Sequence, residues 1–71
     1  MSPLTKHYRD EAVKFRSLAL RMNAMSQTKT LSSDIRYKAV VMKDQALELA
    51  DIFEDLAMKE DKLGHSQTQS P

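Results

Sequence analysis

Three carboxylates, Glu48, Asp51 and Asp55, stand at i, i+3 and i+7, with Glu54 beside them. On a helix this spacing puts them on one face, where acidic side chains could hold Mg²⁺ against the phosphates of a nucleotide. Such a site needs matching acids from a second element. The earlier half of the chain offers only Asp10 and Glu11, set among His7, Arg9 and Lys14. A solvated acidic face is the simpler reading, and no metal is expected.

The basic residues form lines of their own. Arg9, Arg16 and Asn23 recur at steps of seven, and Lys14 and Arg21 form a second line. In a helical bundle these lines could meet the phosphates of RNA. Bases would then need aromatic faces to stack on, yet Tyr8 and Phe15 belong to an apolar stripe, and only Tyr37 is expected to be partly exposed. Ion pairing with a second, acidic helix explains the same arginines more economically, which disfavours nucleic acid as a partner. His7 and His65 have no nucleophile or base at a recognisable spacing. The sequence contains no Gly-rich phosphate loop, Ser/His/Asp set or Glu-x-x-His pair. No residue is assigned to catalysis, no cofactor is expected, and the protein is read as a non-enzyme.

What could position these side chains is helix. Glycine occurs once and proline twice in 71 residues, and cysteine is absent. Ala, Leu, Met, Lys and Glu dominate, which favours helix over strand. With no disulfide or thiolate metal site to brace it, a chain this short buries too little apolar surface for comfortable stability, and association is the usual remedy. No apolar run approaches the roughly 20 residues that span a bilayer. The N-terminal "MSPLTKHYRD" has no apolar core of the signal-peptide kind, so the expected location is a bacterial-type cytoplasm.

Helix 1 is expected over about residues 4–25, capped by Ser2 or Thr5 with Pro3 in its first turn. Tyr8, Ala12, Phe15, Ala19 and Met22 form its stripe, widened by Leu4, Leu18 and Met25. A connection follows at 26–32, where "SQTKTLSSD" is polar but for Leu31; Ser32 or Ser33 should cap the next helix and Asp34 complement its dipole. Helix 2 is expected over about 33–63, with Ile35, Ala39, Met42, Ala46, Leu49, Phe53 and Leu56 in heptad steps and Leu63 one heptad beyond Leu56. Gly64 is suited to a left-handed C-terminal cap, and 65–71 is expected to be a disordered tail.

The two helices should pair as an antiparallel hairpin. A symmetric turn places Met22 against Ala39, Ala19 against Met42, Phe15 against Ala46, Ala12 against Leu49 and Tyr8 against Phe53. Four of these five layers set a large residue against a small one. A slip of one heptad would instead bring Phe15 to Phe53 and set two similar octapeptides, "AVKFRSLA" at 12–19 and "ADIFEDLA" at 50–57, face to face. The symmetric register is the expectation, because it keeps the Ser-Ser-Asp cap at the start of helix 2. Either way the echoed octapeptides answer a packing demand and carry no chemistry.

Val13, Leu20, Val40, Val41, Leu47, Ile52 and Met58 remain outside this seam and need a partner. A two-fold dimer of hairpins, giving a four-helix bundle, is the expected solution, with a higher oligomer or another protein as the alternatives. Charge agrees: residues 1–32 hold six Lys or Arg and two acids, and residues 33–71 hold five and eight. A basic helix beside an acidic one opposes contact between like helices.

The run "HYRDEAVKFRSLALRM", followed after a polar break by "ALELADIFEDLA", resembles a loose group of short bacterial helical-hairpin proteins. Tyr8, Arg9, Ala12, Arg16, Leu18 and Ala19 match the group's first part. The resemblance implies the hairpin and brings no activity. In architecture, the small-against-large seam also resembles Rop, the dimeric four-helix RNA-binding regulator of plasmids, which implies the bundle and, as the alternative function, RNA binding.

Overall fold

The structure, a computed structural model, describes the backbone of residues 2–69 and the side-chain environment of residues 2–63. It is an all-α hairpin of two helices packed against each other: α1 spans Pro3–Ser26 and α2 spans Ser33–Gln69. The Cα atoms fill a volume of only 62 × 13 × 11 Å. With a Cα radius near 2.3 Å for each helix, the two axes lie about 8 Å apart, the close end of the usual range.

Local chemistry accounts for the ends. Ser2 has extended backbone (φ −73°, ψ 155°), and its Oγ accepts from the Thr5 amide at 3.0 Å, while Pro3 occupies the first turn, where a missing N–H costs nothing. At the other end Ser26 and Thr28 donate their hydroxyls to the Asn23 and Ala24 carbonyls, satisfying acceptors that the last turn leaves free. Ser32 caps α2, accepting from the Ile35 amide at 3.2 Å.

α2 does not stop at Gly64. It runs through it to Gln69, and no glycine has positive φ, so the left-handed cap expected there is not made. Residues 65–69 of the expected tail therefore continue the helix, and Ser70 and Pro71 lie outside the described residues.

The seam is narrower and more alanine-rich than the heptad reading implies. Its buried residues are Thr5, Ala12 and Ala19 on α1 and Ala39, Ala46, Ala50 and Ala57 on α2; the largest fully buried side chain in the hairpin is Thr5. Arg36, Lys43, Phe53 and Glu60 complete the inward line of α2 and are half-buried. The inward face of α2 is therefore turned by about one residue position from the expected one. Ala39, Ala46 and Phe53 belong to it as expected, but Ile35, Met42, Leu49 and Leu56 do not: they stand 36–46% exposed along its edge. The physical reason is size. Two helices alone make their closest contact where side chains are smallest, so the alanines set the line of approach and the larger residues are displaced to one side.

The register also differs from the expected one. Phe15 stacks on Phe53 with ring centroids 5.7 Å apart and planes 10° apart, as in the slipped arrangement, and Tyr8 lies tilted against Phe53 at 6.1 Å. Ala12 shares a groove with Glu54 and Ala57, not with Leu49; Ala19 shares one with Lys43 and Leu47, not with Met42. The octapeptides therefore lie beside each other. The residues from Gln27 to Ser32 do not make a symmetric turn, and the cap at Ser32 survives the slip because the connection absorbs it.

Candidate functional site

Because the seam is two alanine layers deep, the hairpin has two open sides, and they differ. On one side lie Arg9, Val13, Arg16, Leu20 and Asn23 of α1, beside Lys43, Leu47, Glu54 and Met58 of α2. Its apolar residues are interrupted by charge. Arg16 donates through Nε and Nη2 to the two oxygens of Glu54, at 3.1 and 2.6 Å, and through Nη2 to Asp51 at 3.5 Å. This fork across the helices is the economical pairing that the basic and acidic lines suggest, and it ties the side into a polar clamp.

The opposite side is richer in apolar residues, although by helical spacing Glu11 of α1 and Lys38 and Gln45 of α2 fall among them. By helical spacing, it takes Leu4, Tyr8, Phe15, Leu18, Met22 and Met25 from α1 and Ile35, Met42, Leu49, Ile52, Leu56 and Leu63 from α2. Phe15 and Phe53, stacked on each other, and Tyr8, tilted against Phe53, form its half-buried floor. Exposure along the α2 edge is high: Ile35 43%, Met42 46%, Leu49 39%, Ile52 53% and Leu63 57%. Complete burial of such a side chain contributes about 1.5–3 kcal/mol, so this edge alone leaves several kcal/mol unrealised. That is comparable to the whole 5–15 kcal/mol stability of an ordinary domain.

The residues assigned to a partner surface, Val13, Leu20, Val40, Val41, Leu47, Ile52 and Met58, are all exposed in the single chain, between 37% and 72%. Five of them lie on or beside the clamped side, however, and by helical spacing only Val41 and Ile52 lie toward the opposite face. The residues that make that face large were assigned to the seam. The missed signal was in the alanines, whose repeat at 39, 46, 50 and 57 marks the inward line of α2 more sharply than the large residues do.

The carboxylates do not converge. Asp51 is turned to Arg16, Asp55 takes the Lys59 ammonium at 2.9 Å, and among the described residues no three His, Asp or Glu side chains could share a metal ion. Lys14 pairs with Glu11 at 3.2 Å, and Arg9 has an interaction of its own. At the start of α1, Lys6 donates to Asp10 at 2.8 Å; the hydrogen bond holds the Asp10 carboxyl below its ordinary range and raises Lys6, both at the open surface. Among the described residues no helix is long and apolar enough to cross a membrane. Comparison with protein-family models, curated proteins and solved structures returns no match.

Proposed function

We propose that the protein is a non-enzymatic helical interaction or regulatory module of the cytoplasm that acts as a homodimer, two hairpins closing into a four-helix bundle. One observation carries this reading: nothing larger than Thr5 is fully buried in the single hairpin, three aromatic rings are only half-buried, and Ile35, Met42, Leu49, Ile52 and Leu56 stand exposed on one side. The accessible area points the same way. A compact chain of 8.1 kDa should expose about 4,500 Å², whereas this one exposes 5420 Å². Even with the projecting end of α2 contributing, the excess is of the order of the 800 Å² or so that one partner loses in a standard interface. RNA binding of the Rop kind has less support, because Arg16 is already neutralised by Glu54 and Asp51.

The test is the native mass of paired variants. The parent chain should scatter light as about twice 8.1 kDa. Leu49→Glu with Leu56→Glu should reduce it to the single-chain mass at micromolar concentration, because each buried carboxylate has no partner there. Val13→Glu with Leu20→Glu, on the clamped side, should leave it doubled. A single-chain mass for the parent would refute the proposal.

A further inference from the structure

The open face carries a second pattern, in charge, that says how the copies dock. Its margin on α1 holds Lys14 and Arg21, seven residues apart, and its margin on α2 holds Glu48 and Asp55, also seven apart; Glu11, Lys38 and Lys59 lie nearer the face but are paired within their own helices with Lys14, Asp34 and Asp55. Within one hairpin these margins are the outer edges of the face and do not meet. Arg21 and Glu48 make no ion pair within the chain among the described residues, and Lys14 and Asp55 are held only in exposed pairs within their own helices. Pairs of that kind contribute little and exchange readily.

Two hairpins docked face to face by a two-fold axis have two arrangements. If the axis crosses the bundle, the connections lie at opposite ends and each helix packs beside its own copy. If the axis runs along the bundle, the connections share one end and α1 packs beside the partner's α2. Resting on the homodimer reading above, we propose that the second copy docks in the latter way, with Lys14 against the partner's Asp55 and Arg21 against the partner's Glu48.

The level of the residues supports this independently of their sign. Rotation about the long axis leaves heights unchanged, so the register seen within the hairpin carries over to the dimer. Within the hairpin, Arg16 meets Glu54. Lys14 lies two residues further from the connection than Arg16, and Asp55 one further than Glu54. Arg21 lies five residues nearer to it, and Glu48 six nearer. At 1.5 Å per residue both proposed pairs are level to within about 1.5 Å. A crossing axis would instead set Lys14 and Arg21 beside a second basic α1 and Glu48 and Asp55 beside a second acidic α2, which like charge opposes.

The chain has no cysteine, so Lys29→Cys places a single spin label in the exposed connection without disturbing either face. Dipolar spectroscopy on the labelled dimer should read a label separation below about 30 Å, the width of a bundle plus the label arms. A separation above about 45 Å, approaching the length of α2, would overturn the shared-end arrangement while leaving the dimer intact. A single-chain native mass would instead remove the homodimer reading beneath it. The charges are tested separately. Lys14→Glu with Arg21→Glu should weaken dimerisation at least tenfold at low salt, and adding Glu48→Lys with Asp55→Lys should restore it. Unchanged dimerisation in the first variant would count against the pairing.

Discussion

Arg16 is the residue whose role is most sharply defined. Its guanidinium meets Glu54 in a forked geometry that suits a carboxylate better than any lysine could, yet both side chains are nearly half exposed. Exposure decides the magnitude. A double-mutant cycle of Arg16→Ala and Glu54→Ala, read by urea unfolding, should give a coupling of about 0.5–1 kcal/mol that shrinks as salt is added. A coupling that does not respond to salt would mean the pair is not the solvent-facing clamp described. The clamp matters less for its energy than for its position, because it occupies the side of the hairpin that the apolar face does not use.

At the scale of the elements, much was legible in the sequence. The two helices, the cap at Ser2, the choice of Ser32 or Ser33 and the basic-with-acidic pairing all follow from turn chemistry and heptad spacing. The inward direction of α2 did not, for a definite reason. A heptad stripe in a bundle helix faces two neighbours at once, and its large residues point toward the bundle axis, between them. Ile35, Met42, Leu49 and Leu56 were read as facing α1, when the alanines and Phe53 do. The register failed for a second reason: a symmetric turn was assumed, and nothing in "SQTKTLSS" fixes how a connection of that length divides its path between the helices. The expected stop at Gly64 failed because one glycine costs a helix only about 1 kcal/mol against alanine. This gives a prediction of opposite sign in the two readings. With α2 continuing in helical φ through Gly64, Gly64→Ala should raise stability by about 0.5–1 kcal/mol and increase helicity in circular dichroism. A loss of stability would point to a left-handed cap at that position.

For the whole molecule, in the proposed dimer, the hairpin is half of a core. Its alanine seam brings two backbones close and leaves the larger side chains to meet something else, so folding and association should be one event. Charge would then restrict how the copies meet in that dimer, because Glu48 and Asp55 of α2 complement Lys14 and Arg21 of α1 across two copies and like helices would repel. Stability of such a protein is inseparable from its concentration. The most direct measurement is therefore the thermal unfolding midpoint, followed by circular dichroism over a hundredfold range of protein concentration. The account predicts one cooperative transition whose midpoint rises with concentration, as it must when two chains fold together. A midpoint that stays constant across that range, with helicity fully retained at the lowest concentration, would show that a single hairpin is stable with its apolar face open to water, and would contradict the account at its centre.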